Sequence, residues 1–380
     1  MKPVYTPPMG WNSWNTFASK IDEKLIMESA DKMVESGLLD CGYNYLVIDD
    51  CWALRERDEN GKLVPDPEKF PHGMKYVADY VHSKGLKFGM YSCAGTMTCA
   101  GYPGSYEHEF DDAASFAQWG VDFLKYDYCF HARTVPGDIH YKRMAVALKN
   151  CGRDILFSAC SWGAENTREW IGETGANMWR TTGDIFENWN SIKDLSLRGL
   201  ENARYGGINC YPDMDMLVVG MYGNGHVGFA GCTDVEYRTH FSLWALLNSP
   251  LMIGCDVRNM NEATKNILMN KEVIAINQDT DCNVPFSVRR DDTHEIPMIA
   301  KILSNGDYAI GIFNFTDEKI SRPYHNYISL EKLGLPESTG KTLEMKNLWT
   351  GETTVVKNGV FYTDVEPHDC ILFRAKVIDK

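Results

Sequence analysis

The chain has 380 residues, 44% of them hydrophobic, and its 38 basic against 52 acidic side chains give a net charge of −14. That balance argues against a surface that tracks nucleic-acid phosphates, and no run approaches the ~18 consecutive apolar residues of a membrane span. Neither nucleic acid nor membrane is therefore an expected partner. Twelve cysteines in this length are too few for a disulfide scaffold. They show no CxxC and no zinc spacing, so they read mainly as buried thiols. The segment MKPVYTPPMGWNSW lacks the apolar core of a signal peptide, which makes an unsecreted, cytoplasmic protein the expectation. Nothing in the sequence argues against a homo-oligomer.

From the N-terminus onward, short β-forming apolar runs alternate with longer stretches of helical period. This is the pattern of βα units around a parallel sheet. The strand candidates are Met9 to Trp14, Tyr43 to Asp50, Leu86 to Cys93, Val121 to Asp127, Ile155 to Trp162, Met178 to Asp184, Cys210 to Leu217 and Leu251 to Asp256. Helix candidates between them include Asp22 to Ser36, Met74 to Lys84, Glu107 to Trp119, Asp138 to Asn150 and Thr233 to Leu247. Eight such units predict an α/β fold, a closed (β/α)8 TIM barrel over residues 1–286, with a doubly wound open sheet as the alternative. Beyond the polar junction INQDTDCNVPFSV, the segments MIAKIL, YAIGIFNF, NLWTGETTVVKNG and CILFRAK alternate with turn signals. They predict a small antiparallel β-sandwich domain over residues 287–380.

Function in a barrel sits where strands end, and acids recur there. Asp49 and Asp50 close the second run. Lys125 and Asp127 close the fourth, on one face of a strand because they are two residues apart. Arg180 and Asp184 follow the sixth, and Asp213 and Asp215 the seventh. Any one of these acids reads as a cap or turn former, but the series is hard to attribute to solvation. A cation beside Asp127 favours its ionised form and suits a nucleophile, while a second carboxyl with fewer cationic neighbours would act as an acid. Arg180 beside Asp184 weakens that division. A hard-cation site is the rival use of several aspartates. Against it, Lys125 and Arg180 would compete in the same place, so no metal and no cofactor is expected.

At this point the residues resemble the retaining α-galactosidases and α-N-acetylgalactosaminidases of glycoside hydrolase family 27. The matching segments are MGWNSWN, LVIDDCW, GLKFGMYSCAGTMTCAGYPGS, FAQWGVDFLKYDYC, FSACSWG, WRTTGDI, DMDMLVVG, SLWALLNSPLMIGCDV and INQD, in family order from Met9 to Asp279. The resemblance implies a barrel followed by an antiparallel β domain. It makes Asp127 the nucleophile and Asp184 the general acid/base. It places Asp49 and Asp50 on the axial O4 and the O6 of galactose, Lys125 beside O3 and O4, Trp14 beneath the sugar, Tyr91 as a further wall and Arg180 near O2. Asp215 and Met216 would close the pocket, and Cys99 and Cys129 stand where the family has a disulfide near the active site. Cys51 lacks the partner it has in many relatives. In a reducing cytoplasm Cys99 and Cys129 would be free thiols.

The segment from Cys160 through Ser161 and Trp162 to Gly163 faces C2 in the family and departs from it, with Ser161 where many members have Glu. Ser161 followed by Ala164 resembles the N-acetylgalactosaminidases. The short run from Cys160 to Arg180 resembles instead the plant and microbial α-galactosidases, in which Trp162 would stand close to O2. Loop length decides here, because a steric clash discriminates more strongly than one lost hydrogen bond. The expected activity is thus a retaining exo-glycosidase acting on terminal α-linked D-galactose of oligosaccharides or glycoconjugates. An α-N-acetylgalactosaminidase is the first alternative, and a non-catalytic sugar-binding barrel the second.

Overall fold

The computed structural model describes residues 3–288, 295–321 and 327–380; Met1 and Lys2, at the head of the segment read for a signal peptide, lie outside them. Eight parallel strands form one sheet: β1 (Met9–Asn12), β2 (Tyr45–Val47), β3 (Lys87–Cys93), β4 (Phe123–Asp127), β5 (Leu156–Cys160), β6 (Met178–Arg180), β7 (Tyr211–Asp213) and β8 (Leu251–Ile253). Their order is β7-β6-β5-β4-β3-β2-β1-β8. The ends meet just past β7, where Leu217 N–H donates to the Met252 carbonyl at 2.7 Å and Gly254 N–H to the Leu217 carbonyl at 2.9 Å. The sheet is thereby a closed barrel, as the sequence pattern predicts. Several strands stop short of their predicted ends, at Asn12, Val47, Arg180 and Asp213, because the ladder gives way to the loops that carry the acids.

Helices cover the outside, among them Glu23–Glu35, Gly73–Ser83, Glu109–Trp119, Gly137–Asn150, Trp189–Asn202 and Asp234–Leu246. Their starts carry the expected chemistry: Asp22 accepts from Leu25 N–H, and Thr233 with Glu236 forms a capping box. The fifth crossover differs. It has only the short pieces Ala164–Asn166, Thr167–Trp170 and Ile171–Glu173 before β6 begins. Among the described residues no helix is long and apolar enough to cross a membrane.

The period of two along each strand sorts the side chains into layers. Tyr45, Val47, Phe123, Leu156, Met178, Tyr211 and Met252 form an apolar cluster inside the barrel, while Leu46, Leu124, Tyr126, Phe157 and Trp179 pack outward under the helices. Two residues further along the inward face stand Lys125, Ser158, Arg180 and Asp213, and two beyond those stand Asp127 and Cys160. Polarity therefore rises toward the C-terminal ends of the strands.

The second domain is an antiparallel sheet, β9 (Phe286–Ser287), β10 (Met298–Ile302), β11 (Tyr308–Phe313), β13 (Lys341–Asn347), β14 (Thr353–Val355) and β16 (Cys370–Asp379), beside the pair β12 (Tyr327–Ser329) and β15 (Val360–Tyr362). Met298, Ile310, Ile312, Leu343 and Phe373 fill its own core. Ile299, Ala309, Phe313 and Leu372, on the opposite face, belong to the barrel's core. Arg238 also reaches across to Asp369 at 2.6 Å. Gly10 sits where β1 and β2 approach so closely that a Cβ would strike the Tyr45 carbonyl oxygen. Gly10→Ala is expected to lower the unfolding free energy by about 1–3 kcal/mol in a denaturant titration, through overpacking alone.

Candidate active site

A pocket of about 270 Å3 opens at the C-terminal ends of the strands. From one side β1 and β2 supply Trp14, Asn15, Asp49 and Asp50. Tyr91 comes from β3, Lys125 and Asp127 from β4, and Trp162 from the loop after β5. Arg180 and Asp184 follow from the β6 region, with Asp215 and Met216 beyond β7. Asp49 is fixed on all sides. Its Oδ2 accepts from Asn12 at 2.7 Å and from Lys125 Nζ at 2.9 Å, and its N–H donates to Ser13 Oγ at 3.0 Å. Asp50 accepts from the N–H groups of Cys51 and Ala100, at 2.7 and 3.0 Å. Asp127 accepts from the Tyr91 hydroxyl at 3.1 Å and from Tyr128 N–H at 3.0 Å. Across the pocket, Arg180 holds Asp184 at 2.9 Å and Asp215 at 3.1 Å.

The structure brings together thirteen of the side chains singled out from the sequence, Cys99 and Cys129 among them, and leaves Ser161 and Cys160 behind the wall. Ser161 is fully buried with its hydroxyl 2.7 Å from that of Thr167, so it does not reach the pocket. Cys160 is buried beneath the floor, 3.7 Å from Arg180 Nη1. The strand alternation accounts for Cys160, and Ser161 is explained by the backbone at Trp162. Its φ of 57° turns the chain so that the indole, not the preceding hydroxyl, faces the cavity. Cys99 and Cys129, which stand where the resemblance implies a disulfide, are joined in one with Cα atoms 5.2 Å apart and line the pocket. The expectation of free thiols does not hold for this pair, whereas Cys51 is unpaired as expected. Cys99, Asp127 and Cys129 also bring three donor atoms within 4.8 Å of one another, but two of the three are the bonded sulfurs. Asn15, which lines the pocket, was not singled out from GWNSWN. Its signal there was only its place beside Trp14.

The family model described as alpha galactosidase A matches residues 6–279, and that described as alpha galactosidase C-terminal beta sandwich domain matches residues 293–375. The chain belongs to this family, glycoside hydrolase family 27. It is 45% identical over 370 residues to an alpha-galactosidase of Oryza sativa subsp. japonica, covering 97% of this chain and 84% of that one. Among solved structures it resembles alpha-galactosidase I of Mortierella vinacea, with a TM-score of 0.91 and 32% identity over 98% of this chain and 97% of that chain. It also resembles the Saccharomyces cerevisiae α-galactosidase crystallised with raffinose, with a TM-score of 0.87 and 29% identity over the whole of both chains. The resemblance read from MGWNSWN through INQD is thus a family membership spanning both domains.

The electrostatics of this family 27 pocket differ from the simplest expectation. Burial pushes the Asp127 carboxyl up to about 6, more than Lys125 can offset, because the ammonium is spent on Asp49. Burial also pushes at Asp184, but there the Arg180 guanidinium and Lys125 prevail and hold the carboxyl below the ordinary range. Of these two carboxyls, Asp127 is therefore the first to take up a proton as pH falls and Asp184 the last. A carboxyl whose folded pKa lies above its unfolded value disfavours folding once ionised, so the penalty is present above about pH 6 and gone below about pH 4. Asp127→Asn removes it. That variant is expected to be more stable than the parent at pH 7–8 by on the order of 2 kcal/mol, and equal to it near pH 4, as read from melting temperature against pH.

Proposed function

We propose that the chain is a retaining exo-glycosidase that releases terminal α-linked D-galactose by double displacement. The observation that carries the reading is the meeting of Asp127 and Asp184 in one small pocket whose other walls are a fixed carboxylate pair, Lys125 and the Trp14 ring. In the reacting complex the proton order of the unliganded pocket is reversed, with Asp127 ionised and Asp184 protonated. Asp127 then attacks C1 from the β face while Asp184 gives its proton to the departing oxygen, leaving a β-linked ester and an ionised Asp184. Ester formation neutralises Asp127 and removes a like charge beside Asp184. That favours the ionised Asp184 needed to take a proton from the incoming water. Asp49 and Asp50, with oxygens already oriented by Asn12, Lys125 and backbone N–H groups, suit an axial O4 and the O6 of a terminal galactose. A non-catalytic sugar-binding barrel would have no need of two carboxyls with divergent protonation. The cytoplasmic location remains part of the proposal on the strength of ten unpaired cysteines among the described residues, with Cys99–Cys129 against it. Activity obtained only after export to an oxidising compartment would overturn it.

The two roles have distinct chemical signatures. With Asp127→Gly, azide takes the place of the nucleophile and inverts an α-galactoside to β-galactosyl azide. With Asp184→Ala and an activated leaving group, azide opens the β-linked ester to α-galactosyl azide. NMR of the products is expected to show this assignment, and the unmodified enzyme is expected to release α-galactose first. The reverse pair of azides would exchange the roles of the two residues.

At C2 the supporting observation is Trp162 on the pocket wall with Ser161 turned away. The chain is expected to favour an α-galactoside over the α-N-acetylgalactosaminide by at least ~10²-fold in kcat/KM, about 2.7 kcal/mol of transition-state discrimination. Trp162→Ala should narrow that ratio, while Ser161→Ala should leave it standing. The opposite pattern would favour the N-acetylgalactosaminidase alternative.

A further inference from the structure

Large apolar side chains left in water singly need no explanation, but two that meet at a functional rim do. Phe186 is 44% exposed and Phe229 68% exposed, and their rings meet edge to face with centroids 5.3 Å apart. Both lie beside the pocket. Phe186 follows Asp184 by two residues. Phe229 belongs to the loop after β7, which runs along the pocket wall: His226 and Val227 N–H groups donate to the Asn15 carbonyl at 2.8 and 3.1 Å, and the His226 ring packs edge-on against Trp14 at 5.4 Å.

The two segments are also held to each other. Glu187 N–H donates to the Val227 carbonyl at 3.0 Å, and the fully buried Glu187 carboxylate accepts from Gly223 N–H at 2.8 Å and from the Tyr237 hydroxyl. Phe186 N–H donates to Ser191 Oγ at 3.0 Å. Positive φ at Tyr222, Gly223, Gly225 and Gly231 shapes the loop. The phenyl rings are therefore presented on anchored backbone, so a ligand that covers them orders little that is not already ordered.

We propose that Phe186 and Phe229 form the subsite for the sugar unit attached to the departing oxygen, which directs the enzyme to galactosyl oligosaccharides. The inference rests on the function proposed above, because it uses the role of Asp184. The proton donor stands beside the glycosidic oxygen, so whatever is attached to that oxygen lies on the Asp184 side of the pocket, where the two rings are. A pyranose offers a C–H face to an aromatic ring and hydroxyls to the polar groups around it. Ser191 and His226 flank the pair here. An alkyl chain would call for a continuous apolar groove, whereas the groups placed beside these rings are a hydroxyl and an imidazole.

The test measures kcat/KM for raffinose, octyl α-galactoside and methyl α-galactoside in the parent, Phe186→Ala, Phe229→Ala and Phe229→Tyr. The raffinose-to-methyl ratio is expected to fall about tenfold in each alanine variant, equivalent to about 1.4 kcal/mol, and to recover in Phe229→Tyr, which keeps the ring. A ratio that stays fixed, because both substrates fall together or neither falls, overturns the platform alone. A larger fall in the octyl-to-methyl ratio than in the raffinose ratio assigns the rings to an alkyl chain and also overturns it. Failure of the parent enzyme to hydrolyse any of the three overturns the underlying function as well, and is distinguishable because it precedes every variant.

Discussion

A guanidinium that water cannot reach must find its counter-charges in the protein, and Arg180, 3% exposed, finds two. One is Asp184 and the other Asp215, so a single side chain at the end of β6 ties the loop that carries the acid to the loop after β7. Asp215 is itself fixed in a left-handed turn, φ 81°. Its carboxylate accepts from Ile185 N–H at 2.8 Å, its N–H donates to Asp213 Oδ1 at 2.8 Å, and its carbonyl accepts from Trp244 Nε1 at 2.8 Å. The side chain of Asp184 is 55% exposed and would otherwise be free to swing on a short loop. Its position is thus inherited from the barrel through Arg180. The same contact keeps it ionised in the empty site, which couples where the acid points to how strongly it holds a proton.

The opposite wall follows a different logic. Lys125 could have neutralised Asp127, two residues along its own strand, but its ammonium is directed to Asp49, where Asn12 also donates. Asp127, the nucleophile of the proposed mechanism, is left with a phenol and one backbone N–H, in a buried place. A carboxylate so poorly compensated is more basic than one in a salt bridge, which suits attack on C1, and it is a standing cost to the fold. The pocket therefore places its buried cations on Asp49, Asp184 and Asp215, and leaves Asp127, to which the proposal gives the attack, under-stabilised.

How far the sequence revealed this depends on the kind of interaction. The barrel was legible because strands covered on both faces read as unbroken apolar runs, and the inward step of two that places Lys125 above Phe123 and Asp127 above Lys125 is written in the alternation itself. Family motifs then supplied the roles. What pattern could not show were features made by backbone geometry. The turn at Trp162 that hides Ser161, the Asn15 carbonyl that anchors the loop carrying His226 and Val227, and the approach of Cys99 to Cys129 all depend on φ values and loop packing. The Arg180 to Asp184 pairing was visible as a spacing, but its second partner, Asp215, lies on another strand's loop and has no local signature.

The short fifth crossover shows how such backbone features become selectivity. With only the short pieces Ala164–Asn166, Thr167–Trp170 and Ile171–Glu173 between β5 and β6, the loop is pressed at Gly163 onto the segment that leaves β6; φ there is 77° and any Cβ would strike the Thr181 carbonyl oxygen. Contact that close leaves the loop no room to retreat. The residue before it, Trp162, therefore cannot rotate its backbone to withdraw the indole without separating Gly163 from β6, and Ser161 is locked on the far side by Thr167, whose hydroxyl also bonds the Ala164 carbonyl at 2.6 Å. Under the proposed function, selection at the sugar's C2 position falls to an aromatic wall fixed through main-chain packing. A wall of that kind rejects added bulk through the stiffness of the loop behind it, so exchanging Ser161 alone has no route to the substrate.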